Sequence, residues 1–252
     1  MKSKVLIVGF GNIGKKLYEE YAVLSPDIYD PYKGYTNKSD YYDFAFITVD
    51  TPTLSDGKCD LSQVKTAISE TNCDIIILRS TVYPWTTLSL GKEFNRKIVF
   101  SPEFYGVTQH SNNKSFDFNF TILGGNKEDT EKVAQLLQNV YDARHKFCFT
   151  DSTTAELAKY MENTFLAAKV SLSVQFWEIA KKFGVNYSEL RELLLMDPRI
   201  NPAHTFVYEG HPYWESHCFD KDLAAIEDIA PLVKSIIDYN EQCKEKYKEQ
   251  IK

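Results

Sequence analysis

The sequence has no C-x-x-C pair, and its five cysteines, Cys59, Cys73, Cys148, Cys218 and Cys243, are odd in number. That spacing excludes a zinc knuckle and argues against a disulfide framework, so reduced thiols are expected. An excess of positive charge is also missing: 29 Lys and Arg stand against 35 Asp and Glu, and the lysine-rich stretches are interleaved with glutamate. No surface for a phosphate backbone follows, and nucleic acid is not an expected partner. No apolar run reaches membrane-spanning length, and the first one, Lys4–Val8, stops at a glycine too soon for a signal sequence. A cytoplasmic protein without membrane contact is expected. His211 and His217 flank one loop with no third ligand at suitable spacing, so no metal is expected. Internal repeats and low-complexity tracts are absent too.

What is present is a set of short apolar runs: Lys4–Val8, Phe44–Val49, Asp74–Leu78, Lys97–Phe100, Phe120–Leu123 and Lys146–Phe149. Helix-like segments lie between most of them, at Ile13–Leu24, Leu61–Thr71, Thr86–Phe94 and Lys127–Tyr141. Buried strands alternating with amphipathic helices predict an α/β domain over residues 1–150, with a doubly wound, mostly parallel sheet. From Asp151 to Gly184 no breaker interrupts the chain. One long helix is predicted there, capped by Asp151 or Ser152 and stopped by Gly184. A shorter helix, Tyr187–Met196, precedes an irregular stretch over 197–217, and helical sequence resumes near Phe219 with an interruption or kink at Pro231. Residues 151–252 are thus expected to form an all-helical domain around one long central helix.

Gly9-Phe10-Gly11-Asn12-Ile13-Gly14 is a G-x-G-x-x-G motif with a strand before it and a helix after it. The first glycine allows the tight turn, the second lets a pyrophosphate approach the backbone, and the third lets strand and helix pack closely. The helix start at Asn12 and Ile13 then offers amide N–H groups and a favourable dipole to phosphate. Asp30 lies about 20 residues beyond the first glycine, where a carboxylate accepts hydrogen bonds from a ribose diol and repels a 2′-phosphate. A Rossmann-like domain binding NAD in preference to NADP is expected, with Lys33 close enough to soften the preference.

Further polar stretches follow the apolar runs: Val49-Asp50-Thr51-Pro52-Thr53, then Arg79 through Thr87 (RSTVYPWTT), then Ser101-Pro102-Glu103-Phe104. In the long helix Lys159 and Asn163 are four apart and share a face. With AELAKYMENT in that helix and Cys218-Phe219-Asp220-Lys221-Asp222 after it, the sequence resembles the UDP-glucose/GDP-mannose dehydrogenase family over almost its whole length. The resemblance implies an NAD-dependent, four-electron oxidation of a primary alcohol of a sugar or nucleotide sugar to a carboxylate. It implies Cys218 as nucleophile, Lys159 and Asn163 as oxyanion stabilisers, Asp222 with Thr81 and a water as proton acceptor, and Glu103 in thioester hydrolysis. Cofactor contacts are implied for Gly9, Gly11, Asn12, Ile13, Gly14, Asp30, Thr51, Thr81 and Glu103. Substrate contacts are implied for Lys159, Asn163, Phe104 and Tyr213. A homodimer through the long helix is implied as well.

The chemistry suits those residue types. A thiolate is a strong nucleophile and a good leaving group, and a lysine facing a developing alkoxide supplies preorganised charge. A helix start and Lys221 favour the thiolate of Cys218, while Asp220 and Asp222 oppose it. Two departures stand out. The family's glycine-rich approach to the cysteine reads His211-Pro212-Tyr213-Trp214-Glu215-Ser216-His217 here, so strain, a reshaped loop or filled substrate space is expected. The family's further nucleotide-gripping domain has no counterpart in the sequence, which implies a smaller substrate, a second polypeptide supplying that half, or lost binding. Two other readings stay open: a two-electron hydroxyacid or alcohol dehydrogenase using Lys159 and Asn163, and a catalytically silent NAD-binding subunit.

Overall fold

The computed structural model describes residues 3–54, 57–104 and 119–248; the His217 side chain and the last four residues of the charged C-terminal run lie outside the described part. The chain divides into two compact units, one ending at Lys159 and one beginning at Tyr160, the second also taking in Gly57 and Lys58.

The first unit is built on seven strands among the described residues: β1 (Val5–Val8), β2 (Asp27–Tyr29), β3 (Tyr42–Ile47), β4 (Cys73–Leu78), β5 (Lys97–Phe100), β6 (Phe120–Gly124) and β7 (Lys146–Thr150). They form one sheet in the order β2-β1-β3-β4-β5-β6-β7. All neighbours pair parallel except β5 with β6. Apolar runs without alternation become strands buried on both faces, as the fully buried Val5–Val8 shows. The helices are α1 (Asn12–Glu20), α2 (Ser62–Glu70), α3 (Thr86–Glu93) and α4 (Lys127–Leu137). One core cluster joins Leu6, Ala45 and Ile76 to Val64 and Ile68 of α2 and Leu90 of α3. The other joins Ile7, Phe46 and Ile77 to Leu17 of α1 and Val133 and Leu137 of α4. Helices therefore cover both faces. Strand order reverses its direction of growth between β1 and β3, which makes the crevice at their carboxyl ends the switch point where ligands collect.

α5 (Ser152–Phe183) is one unbroken helix. Asp151 caps it, with Oδ1 accepting from Thr154 N–H at 2.9 Å and Oδ2 from the Thr154 hydroxyl at 2.6 Å. At its far end Gly184 adopts φ +68° and Val185 N–H bonds back to Ala180 O at 2.9 Å, a closure that satisfies the last carbonyls. The division between units falls two turns into α5, because Ala155 packs in the sheet core.

In the second unit α6 (Tyr187–Leu194), α7 (His217–Ala224) and α8 (Pro231–Lys248) follow. Pro231 does not kink a helix. It is the first residue of α8, where its missing N–H removes no helical bond. α8 is held to α5 through Trp177, Cys243 and Tyr247 in one apolar cluster, and through Glu178, which accepts from Tyr239 OH at 3.0 Å, Tyr247 OH at 2.7 Å and Lys246 Nζ at 2.6 Å.

Candidate functional site

In the first unit the glycine turn is shaped by contact as well as by φ. Gly9 sits at φ +90°, and a Cβ added to Gly14 would stand 2.1 Å from Gly9 O and 3.0 Å from the Thr48 hydroxyl oxygen. A Cβ added to Gly11 meets nothing within 4 Å. The first and third glycines are therefore required by the protein's own packing, whereas the second borders open space, as close approach of a pyrophosphate requires. Thr48 stiffens the turn by donating to Gly9 O at 2.7 Å. Asn12 and Ile13 open α1, the helix that points its first N–H groups at that space.

Asp30 is buried at the end of β2, and its Oδ2 accepts from Phe10 N–H at 2.8 Å. Lys33 donates to Phe10 O at 2.8 Å. The lysine expected to soften the NADP exclusion is thus engaged by the glycine turn itself.

The three polar stretches do follow strand ends. Thr51 is buried and donates from Oγ1 to Thr81 O at 2.7 Å, joining the loops after β3 and β4. Glu103 is buried just past β5. Lys159 is buried with its ammonium 5.1 Å from the ring centroid of Phe104. That contact holds a charge against an aromatic face in a desolvated setting.

Two buried polar groups escaped the sequence reading. Arg79 reaches Ser101 Oγ from NH1 at 3.0 Å. Glu156 is fully buried, its Oε2 accepting from Trp85 N–H at 2.7 Å and its Oε1 from Thr87 N–H at 2.7 Å and the Thr87 hydroxyl at 2.6 Å. Burial pushes the Glu156 carboxyl up, and the donors from Thr87 and Trp85 offset only part of the rise. The glutamate of AELAK was a visible signal, but its partner lies 69 residues earlier and nothing in the spacing marks it. Its role is to anchor the start of α3, where Trp85 holds φ +73° with 64% of its surface exposed.

In the second unit Asn163, Lys221 and Asp222 meet. Asn163 Nδ2 donates to Asp222 Oδ2 at 2.5 Å, and Lys221 Nζ pairs with Asp222 Oδ1 at 2.6 Å; all three residues are buried. Lys221 is therefore committed to Asp222. Cys218 lies at the second position of α7 and is exposed. Ser216 caps that helix, accepting from Phe219 N–H at 3.2 Å, while Ser216 N–H donates to Asp220 Oδ2 at 3.0 Å.

The approach to Cys218 is not strained where strain was expected. Among the described residues, positive φ outside glycine occurs at Ser25, Trp85, Asn95 and His204, not at Tyr213, Glu215 or Ser216. The chain has turned aromatic side chains inward instead. Tyr213, expected against substrate, packs with Val174, Trp177 and Tyr247. Trp214 donates from Nε1 to Ser171 Oγ at 3.1 Å, and its backbone exchanges two 2.9 Å hydrogen bonds with the Asn240 side chain.

Comparison with known proteins then decides the family. Residues 29–145 match the model of the UDP-glucose/GDP-mannose dehydrogenase family, NAD binding domain, and residues 153–245 match that of the family's central domain. The chain belongs to the UDP-glucose/GDP-mannose dehydrogenase family. A UDP-glucose 6-dehydrogenase of Rickettsia felis is 29% identical over 227 residues, which cover 82% of this chain and 50% of that protein. A UDP-N-acetyl-D-mannosamine dehydrogenase of Methanocaldococcus jannaschii is 31% identical over 199 residues, 73% of this chain and 44% of that protein. Among solved structures, a UDP-glucose dehydrogenase from the archaeon Pyrobaculum islandicum shares the fold with a TM-score of 0.75 at 22% identity, covering 96% of this chain and 68% of that one. This dehydrogenase-family chain spans about half the length of the curated relatives it matches.

Proposed function

We propose that this family member oxidises the primary alcohol of a nucleotide sugar to the carboxylate with NAD, in the manner of a UDP-glucose 6-dehydrogenase, using Cys218 as covalent catalyst. The observation that carries the reading is the buried Asn163–Asp222–Lys221 cluster, because Asp222 lies one helical turn after Cys218 and so shares its side of α7. Two motifs 59 residues apart meet there, as the reaction requires.

The residues of the first unit fit NAD. Gly9 and Gly14 are tight against the backbone, Gly11 leaves room, and Asp30 offers a carboxylate beside them. Bound there, NAD supplies the hydride acceptor, and two equivalents take an alcohol to an acid. The chain's own residues do the rest. The Cys218 thiolate adds to the aldehyde carbon to form a thiohemiacetal, whose oxidised form is a thioester that water opens to the acid. The Asn163 amide and the Lys159 ammonium stabilise negative oxygen at the reacting carbon. Each oxygen of Asp222 accepts one hydrogen bond, from Lys221 or from Asn163, and keeps a second lone pair for an incoming proton. Thr81 assists in positioning the water, and Glu103 assists thioester hydrolysis.

The test is reduced-cofactor absorbance with NAD and a panel of UDP- and GDP-sugars. Two reduced cofactors per sugar support the thiol route, and one points to a two-electron dehydrogenase. NAD binding without turnover on any sugar identifies a silent subunit. A Cys218→Ser variant is expected to oxidise the alcohol and fail to release the acid; parental behaviour would remove Cys218 from the mechanism.

A further inference from the structure

The connection that leads into β3 lacks a helix. β3 reaches β4 through α2, and β4 reaches β5 through α3. Between Tyr29 and Tyr42, a stretch described throughout, the only helical piece is a 3₁₀ turn at Pro31–Lys33. A right-handed crossover helix there would lie on the α2 face of the sheet, the face that carries Leu6. The shorter connection leaves a cavity of about 310 Å³ instead, with Leu6 and Tyr42 in its lining. Tyr42 opens β3, and Thr71 and Asn72, which also line the cavity, precede β4. The cavity therefore lies at the amino ends of the parallel strands, whereas the glycine turn follows the carboxyl end of β1.

Its walls are tied to each other by the chain's own hydrogen bonds. Asn72 Nδ2 donates to Asp40 O at 2.8 Å, Lys38 Nζ to Glu70 O at 2.6 Å, and Ser39 N–H to Tyr42 OH at 2.8 Å. The Tyr42 hydroxyl in turn donates to Asp27 Oδ2 at 2.8 Å. One polar group is left over. Thr71 is 2% exposed, and its Oγ1 has no hydrogen-bond partner among the described residues. A buried hydroxyl in that state is destabilising, so a molecule that bonds it supplies what the folded chain lacks.

We propose that this cavity binds a small uncharged polyol, of the size of one sugar ring. Its volume is at the lower end of small-molecule sites, which run on the order of 300–1,000 Å³. The lining carries one ammonium, Lys38, against two carboxylates, Asp40 and Glu70, so a phosphate or carboxylate ligand meets net negative charge. That ammonium is also engaged, by the Glu70 carbonyl and by the Tyr29 ring centred 4.1 Å away. Carboxylates only accept, and the hydroxyls of Ser39 and Thr71 do either, so the matching ligand is rich in donors that carry no charge. A ring of hydroxyls meets that requirement and leaves C–H faces for Leu6 and Tyr42.

The test is saturation-transfer NMR on the full chain with myo-inositol, D-glucose and D-glucose 6-phosphate, with affinities from titration. At least one neutral probe is expected to bind, and the phosphate about tenfold more weakly or not at all. Thr71→Val keeps the side-chain shape, removes the hydroxyl and is expected to weaken the neutral probe about tenfold, the scale of one hydrogen bond to a buried group. Ser39→Trp fills the cavity from an exposed loop position and is expected to abolish binding while keeping the parental thermal midpoint. No binding of either neutral probe overturns the inference, as does phosphate binding as tight as that of the neutral sugar. Parental affinity in either variant overturns it too, and a signal that survives Ser39→Trp places the sugar in the catalytic cleft. None of these outcomes bears on the NAD reading.

Discussion

Trp85 is a bulky residue in the left-handed region, a conformation that costs about 1–2 kcal/mol for anything but glycine. Replacing Trp85→Gly relieves that strain and loosens the unfolded chain by somewhat less. The expected result is a gain of about 1 kcal/mol, or roughly 3 °C in thermal midpoint for a chain of this size. An unchanged or lower midpoint would show that the indole makes contacts that outweigh the strain. Glu156→Ala acts in the opposite direction at the same turn. It strands the buried N–H and hydroxyl of Thr87 and the part-buried N–H of Trp85, and a loss of about 3 kcal/mol in denaturant unfolding is expected. A loss below about 1 kcal/mol would mean that water replaces the carboxylate.

Among elements, α8 directs three of its side-chain hydrogen bonds at one carboxylate, that of Glu178 in α5. Burial raises Glu178, but hydrogen bonds from Lys246, Tyr247 and Tyr239 outweigh it and hold the carboxyl below its ordinary value. A carboxyl lowered on folding contributes stability that is present above its unfolded value, about 4.3, and lost as pH falls through the folded value. Unfolding free energies from urea titrations of the parent and Glu178→Gln should therefore differ by about 2 kcal/mol at neutral pH and converge in acid. A gap that stays constant down to the acid limit would place the cost in packing. The elements themselves were largely legible: β1, β4, β5 and β7 fall within a residue of their apolar runs, and the Asp151 and Gly184 ends of α5 were marked by cap chemistry. The sheet order and the reversal at β6 were not legible, because apolar runs carry no information about their neighbours. At the site, the glycine turn and the helix face bearing Lys159 and Asn163 could be read from local spacing. The Glu156 anchor, the Lys221–Asp222 pair and the inward turn of Tyr213 depend on contacts that spacing does not encode.

At the scale of the molecule, the part of α5 within the second unit leaves Met161, Phe165, Leu172, Phe176 and Phe183 exposed, at successive spacings of four, seven, four and seven residues. That is one apolar stripe, of the kind that marks an interaction surface. We propose that a second copy of this chain covers it. Sedimentation at micromolar concentration is expected to give a dimer, and Phe165→Glu with Leu172→Glu a monomer. A parent that sediments as a monomer would assign the stripe to a different partner.

The distribution of tryptophan has a practical consequence. Trp85 is exposed in the first unit, while Trp177 and Trp214 are 3% and 5% exposed in the second. Indole emission shifts to longer wavelength when a ring passes from the interior to water, so the shift on denaturation comes almost wholly from the helical unit. Circular dichroism sees both units at once. The two signals recorded together on one sample report whether the units melt in a single step or separately, without a label or a cut in the chain.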